Sequence, residues 1–268
     1  MPRIKVGELY LYYEIHGEGE PLVLIPGFRT GLWLWSRQVP TFAQGLRTIV
    51  FDPRGIGKSD QSEKPMTIKT IADDLSGLLS ELGIAQAHVL GASFGGFVAQ
   101  EFVLSYPKIV RSLILCCTSF GGPRHLLPPL SVLQAMSASD GLNTEERTRR
   151  NFLMAFSESF VQEHHDDIEE VLRLRLSNPV SDQTHFAQLQ VAANFNAESR
   201  VANIKAPTLV LTGDADTLVP ASNSHNLAAQ IPHARLSIIA GGSHMFFIEQ
   251  PDKFNRAVID FIDELRTR

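Results

Sequence analysis

The chain has 268 residues, 44% of them hydrophobic and 20% charged, with a formal net charge of -5 at pH 7. That length and apolar content suit one large α/β domain with an insertion, or two small domains, and they exclude a disordered chain. The mildly acidic balance lacks the basic footprint that nucleic acid or an anionic membrane surface needs, so a small molecule is the expected partner.

In chain order, residues 4–6 and 9–15 flank Gly7-Glu8 and predict an antiparallel hairpin at a sheet edge. The unbroken apolar run at 21–25 reads as a strand buried on both faces, as parallel strands are. Further strands are expected at 48–51, 88–90, 112–115, 208–211 and 236–239, with helical periodicity at 67–82, 94–105, 221–230 and 251–265. Strands alternating with helices require crossover connections, so a mostly parallel sheet flanked by helices follows. Roughly ninety residues separate the strands at 112–115 and 208–211, too many for one crossover. The interval opens at Gly121-Gly122-Pro123 and closes at 203–207. Helices are expected inside it at 145–160, 161–176 and 184–194, anchored by Phe152, Phe156, Phe160, Phe186 and Leu189. This predicts a helical cap at 121–203 inserted into a core of residues 1–120 and 204–268. The adjacent Cys116 and Cys117 read as a buried, reduced pair. No apolar run approaches the ~20 residues of a membrane span, and the amino terminus lacks a signal-peptide core, so a cytoplasmic protein is expected.

Chemistry concentrates at Gly91-Ala92-Ser93-Phe94-Gly95, where a strand gives way to a helix. The turn is too tight for side chains two residues either side of the serine, and glycine occupies both positions. A serine hydroxyl becomes a nucleophile only with a base in hydrogen-bond reach and a third group to orient that base. Reactive groups in an open parallel sheet collect beyond the carboxyl ends of strands. His244 lies there, behind Gly241-Gly242 after the last expected strand. Asp214 and Asp216 both follow the strand at 208–211; the longer excursion favours Asp216, leaving Asp214 to hydrogen-bond within its own turn.

These residues resemble the α/β-hydrolase superfamily over essentially the whole chain, in its serine esterase and enol-lactonase branch. Ser93, Asp216 and His244 stand in the family's order, and Gly213, Asp216 and Pro220 match its acid motif. Residues 51–60 are similar to the family's glycine-rich loop after the fourth strand, where Asp52 and Arg54 have structural roles. The resemblance implies an eight-stranded sheet, a catalytic triad, and an oxyanion hole formed by the backbone N–H groups of Phe28 and Phe94. Pro26 departs from the histidine that many relatives carry, which changes how that loop is braced. No cofactor and no metal are expected.

Departures narrow the reaction further. A serine at the elbow disfavours the dehalogenases and epoxide hydrolases, which use aspartate there. No lysine lies between Asp216 and His244, which argues against a hydroxynitrile lyase. Met245 stands where carbon–carbon bond hydrolases show tryptophan, and Phe94 where cofactor-free haloperoxidases show methionine. Hydrolysis of a small, largely apolar ester, lactone or thioester remains, with Trp33, Met245 and Phe246 flanking an apolar pocket. A substrate bearing carboxylates would need a cationic clamp from Arg29, Arg124 or a cap arginine. The alternatives are a haloperoxidase, a carbon–carbon bond hydrolase, or a triad-retaining ligand sensor; monomer and homodimer both stay open.

Overall fold

Eight strands form one sheet in the computed structural model, which describes residues 2–138 and 141–267. The expected core limits at 1 and 268, and positions 139 and 140 of the expected cap, lie outside those residues. The strands are β1 (Arg3–Val6), β2 (Leu9–His16), β3 (Glu20–Ile25), β4 (Leu46–Phe51), β5 (Ala87–Ala92), β6 (Val110–Cys116), β7 (Thr208–Gly213) and β8 (Arg235–Ile239), in the spatial order β1-β2-β4-β3-β5-β6-β7-β8. β1 and β2 form the expected edge hairpin, and β2 also runs antiparallel to β4; every pairing from β4 to β8 is parallel.

The continuous apolar runs follow from a core on each side of the sheet. Because side chains alternate along a strand, Val23 and Ile25 point into one core while Leu22 and Leu24 point into the other. The first core is closed by α2 (Ile68–Glu81), α3 (Phe94–Ser105) and α9 (Ser222–Gln230), which bring in Ile71, Leu75, Phe102 and Leu227. The second is closed by α1 (Val39–Phe42), α10 (Phe246–Glu249) and α11 (Pro251–Arg266), through Phe42, Phe247, Phe254 and Val258. Thr67 starts α2 with a capping box, accepting the Thr70 N–H on its side chain.

Between β6 and β7 run α4 (Leu130–Ser137), α5 (Thr144–Leu153), α6 (Glu158–Glu163), α7 (His165–Ser177) and α8 (Asp182–Ala193). The two ends of this segment meet: Gly121 bridges Asn196, and the Ala197 N–H donates to Phe120 O at 2.8 Å. The single helix expected at 145–160 is broken, because Ser157 caps α6 by accepting the Phe160 N–H and so ends the preceding helical path. Asn143 and Ser181 cap α5 and α8 in the same way. Helix α4 escaped the periodicity reading because it buries none of its residues. Phe156 and Phe160 anchor as expected and Phe152 is half-buried, but Phe186 and Leu189 are 64% and 51% exposed. α8 instead turns Thr184 and Gln188 inward, where polar partners await them.

The glycine-rich loop is pinned by its charged residues, as expected. Asp52 accepts the N–H groups of Leu32 and Lys58 at 2.9 and 3.0 Å. Arg54 holds Asp74 of α2 through two bonds, Nε to Oδ2 at 2.6 Å and Nη2 to Oδ1 at 2.7 Å, with both side chains buried. Cys116 and Cys117 are buried and free, and burial pushes both thiols well above their usual range. Among the described residues, no helix is long and apolar enough to cross a membrane. Arg54→Met should strand Asp74 in the core and cost about 3–5 kcal/mol; the urea midpoint measures it, and a near-wild-type midpoint would show that the pair does not hold the loop to α2.

Candidate active site

Ser93 sits between β5 and α3 with φ 54 and ψ -116, a backbone conformation that costs on the order of 1–3 kcal/mol for a residue with a side chain. Its neighbours hold it there. The Ser93 N–H donates to Cys116 O at 2.8 Å, while Ser93 O accepts from the Gly96 N–H at 2.9 Å and from Thr118 Oγ1 at 2.8 Å. The flanking glycines are steric necessities: a Cβ on Gly91 would stand 2.3 Å from Gly95 O, and one on Gly95 would stand 2.3 Å from Ile25 O. The strand is buried throughout, yet Ser93 keeps partial access to solvent.

The 26–30 loop packs directly on the serine, since a Cβ on Gly27 would lie 3.7 Å from Ser93 Cβ. With Pro26 in the loop, Thr30 supplies the bracing, its N–H and Oγ1 donating to Gly27 O at 3.3 and 2.9 Å. The N–H groups of Phe28 and Phe94 donate to no acceptor among the described residues. Phe94 is the first residue of α3, so its amide also carries the positive end of the helix dipole. The two phenyl rings meet edge to face at 6.2 Å.

Asp216 and His244, from the loops after β7 and β8, are joined in a buried bond of 2.8 Å between Oδ2 and Nδ1. Oδ1 of Asp216 accepts the N–H groups of Leu218 and Val219 at 2.9 and 2.8 Å, which fixes the carboxylate plane. A carboxylate only accepts, so His244 donates from Nδ1, and in the neutral ring Nε2 then keeps its lone pair. Asp214 takes a different role from the one expected: it is exposed, and its Oδ1 accepts the Gly241 N–H at 2.7 Å, tying the β7 loop to the β8 loop. Cys117, held at φ 41, is near both Ser93 and Asp216. Burial first, then the Asp216 charge, keep its thiol protonated, so it offers no competing nucleophile.

The sequence reading missed how the His244 loop is fastened to the segment between β6 and β7. Ser243 Oγ and the Met245 N–H both donate to Ala155 O, at 2.7 and 2.9 Å. One carboxylate, Glu249, accepts the Ser243 N–H at 3.0 Å and the Ser157 N–H at 2.6 Å. The partners are some ninety positions apart, and no local pattern announces a contact at that separation. Of the expected pocket residues, Trp33 and Met245 are 8% and 9% exposed, with Trp33 6.3 Å from Phe152. Phe246 is a core side chain instead, fully buried against Phe247 and Phe254. Arg124 is also removed from the expected clamp, paired with Glu198 on the surface. A cavity of about 430 Å³ lies at the opposite, amino ends of the strands, lined by the Glu20, Arg111 and Arg266 ion pairs and His88.

A model of the α/β hydrolase fold matches residues 20–251. A protein of Azorhizobium caulinodans named for carbamate hydrolysis is 30% identical over 265 residues, covering 99% of each chain. A 2-hydroxy-6-oxononadienedioate/2-hydroxy-6-oxononatrienedioate hydrolase of Burkholderia vietnamiensis is 32% identical over 275 residues, covering 95% of this chain and 91% of that one. Among solved structures, a thermophilic esterase from Thermogutta terrifontis is 26% identical with a TM-score of 0.82, covering 99% of both chains.

Gly95→Ala should force the 25–26 backbone away from the elbow and lower stability by about 1–3 kcal/mol, read from the urea midpoint. Gly45→Ala, where nothing lies within 4 Å of the added Cβ, is the control. Equal midpoints for the two variants would show that the crossing tolerates a side chain.

Proposed function

The chain belongs to the α/β hydrolase fold family, and on that premise we propose that it hydrolyses a carboxylic ester or lactone through an acyl-enzyme on Ser93. The observation that carries this reading is the buried 2.8 Å bond from His244 Nδ1 to Asp216, which leaves Nε2 as a base, in a molecule where Ser93, the one serine at positive φ among the described residues, follows the central strand β5. Nε2 of His244 takes the Ser93 hydroxyl proton as Oγ bonds to the substrate carbonyl carbon. The N–H groups of Phe28 and Phe94 receive the tetrahedral oxyanion, each such donor being worth about 3 kcal/mol in the transition state. Collapse breaks the bond to the alkoxy oxygen, which leaves with the proton from His244. Water then gives a proton to His244 and attacks the acyl carbon, releasing the acid and restoring Ser93. In a lactone the leaving alcohol stays on the acyl chain, so the product is a hydroxy acid.

On the same reading, the helical segment at 121–203 is a cap over the core formed by 1–120 and 204–268, and Trp33 and Met245 contribute apolar lining. Its attachments to the Phe28 and His244 loops support that role: the Phe28 ring lies 5.6 Å from His185 of α8, and Met245 is bonded to Ala155. A second reading, cleavage of a carbamate or of a carbon–carbon bond beside a ketone, is supported by the names of relatives 30% and 32% identical to this chain. The same serine, base and oxyanion donors serve a carbamate, whose carbonyl also bears a heteroatom leaving group.

Steady-state hydrolysis of p-nitrophenyl butyrate and of γ-butyrolactone tests the ester and lactone assignment against an aryl carbamate and a vinylogous diketone. Ser93→Ala should abolish turnover. Asp216→Asn should reduce kcat by about 10⁴-fold, because it loses the acceptor that sets the His244 tautomer, while Asp214→Asn should do far less. The reverse ranking would move the acid to Asp214, and turnover surviving Ser93→Ala would end the acyl-enzyme reading.

A further inference from the structure

Each backbone N–H that would receive the oxyanion belongs to a peptide whose carbonyl is held twice at its other end. Ser93 O, in the peptide that carries the Phe94 N–H, accepts from Thr118 Oγ1 at 2.8 Å and from the Gly96 N–H at 2.9 Å. Gly27 O, in the peptide that carries the Phe28 N–H, accepts from Thr30 Oγ1 at 2.9 Å and from the Thr30 N–H at 3.3 Å, the second being long for such a bond. Both threonines are buried, Thr118 just beyond β6 and Thr30 in the loop after β3.

A trans peptide is planar, and its C=O and N–H point in opposite directions, so fixing the carbonyl fixes the amide. A carbonyl held by one donor can still tilt; donors on both lone pairs set the plane. The need is greatest at Ser93, whose ψ of -116 belongs neither to the strand before it nor to the helix after it. No ladder of regular bonds therefore orients the peptide between Ser93 and Phe94. The sequence leaves room for the clamp: a Cβ on Gly96 would stand 2.5 Å from Thr118 Oγ1, which accounts for a further glycine directly after Gly95.

We propose that Thr118 and Thr30 are positioning residues of the oxyanion hole: their hydroxyls hold the Ser93 and Gly27 carbonyls so that the Phe94 and Phe28 N–H groups converge beside Ser93 Oγ. The proposal rests on the reading of Ser93 as the nucleophile. Each threonine acts through a backbone amide and not on the substrate. Stabilisation of a developing charge depends on donors that are oriented before the charge appears, because turning them during the reaction would consume what they contribute. The two hydroxyls come from separate loops, so each aims one donor.

Valine keeps the shape of threonine and removes the hydroxyl. Ser93 O would still accept from Gly96 and Gly27 O from the Thr30 backbone, so neither carbonyl is orphaned and both variants should fold. With p-nitrophenyl butyrate, Thr118→Val and Thr30→Val should each lower kcat by about tenfold or more at nearly constant KM, since losing a donor outright costs about 10²–10³-fold and tilting one costs part of that. Thr118→Ser and Thr30→Ser, which restore the hydroxyl, should stay within about threefold of the wild type. Inhibition by butylboronic acid gives a readout tied to the oxyanion. Ser93 Oγ bonds to boron as its proton passes to His244, which leaves a tetrahedral anion with one boron hydroxyl in the oxyanion position. The valine variants should bind this inhibitor about tenfold more weakly, and the serine variants should not. Unchanged kcat and boronate affinity in the folded valine variants, a rise in KM alone, or serine variants as slow as the valine ones would overturn the proposal. Thr118→Ala or Thr30→Ala replaces any valine variant that fails to fold. Butylboronic acid binding to Ser93→Ala as tightly as to the wild type, measured by calorimetry, would end the acyl-enzyme reading and this proposal with it.

Discussion

Backbone crosses backbone where β5 turns into α3, so closely that a Cβ on Gly91 or Gly95 would stand 2.3 Å from a carbonyl oxygen. Ser93 is held at positive φ because Gly91, Gly95 and the carbonyl of Ile25 leave no other path between strand and helix. Much of the site takes its position from that crossing. The Gly27-Phe28 turn lies on Ser93 because β3 runs beside β5, and the first free amide of α3 falls next to the serine because the helix starts one residue later. The strain is sustained by three hydrogen bonds to the Ser93 backbone, two with Cys116 and Thr118 at the end of β6 and one with Gly96 of α3. Strained positions persist only where the surroundings over-determine them, and here the surroundings are the central strands of a sheet buried on both faces.

The second half of the site is assembled by different means. Asp216 and His244 come from long loops that no regular structure confines, so side-chain bonds replace helix and sheet ladders. Asp214 ties one loop to the other through Gly241, Asp216 spends one oxygen on its own turn and the other on His244, and Glu249 joins the His244 loop to residue 157. Apart from the bond to His244, whose ring Nδ1 donates, each of these joins a carboxylate to a backbone N–H, a combination stronger than a neutral pair and less dependent on side-chain entropy. The segment between β6 and β7 thus touches both sides of the site, at Phe28 through α8 and at Met245 through Ala155. A displacement of those helices would reach the Phe28 loop and His244 together.

The arginines show what chain order leaves undecided. Arg124 lies on the surface with Glu198, whereas Arg175 is 5% exposed, and only folding separates the two. Phe246 shows the converse: adjacency to His244 suggested a pocket residue, but helix α10 rotates it into the core. In the same way α8 carries Phe186 and Leu189 outward, because its inward face is given to Thr184, which packs so closely on Gly55 that a side chain there would clash, and to Gln188, which accepts the Arg29 N–H.

Local physics was enough for the parallel sheet, its edge hairpin, the four longer helices of the core, α2, α3, α9 and α11, and the glycines around Ser93. Apolar periodicity, capping residues and the steric demand of a tight turn act within a few residues and are written in the order of the chain. The same local rules put Asp216 and His244 at strand ends. What only the tertiary structure decided was every relation between distant segments: the Asp216 to His244 bond, the fastening of the His244 loop at Ala155 and Glu249, the breaks within 144–177, and the burial of Arg175. Those depend on which surfaces meet and how much water they exclude, and neither burial nor the local electrostatics that follow from it exists until the chain has folded.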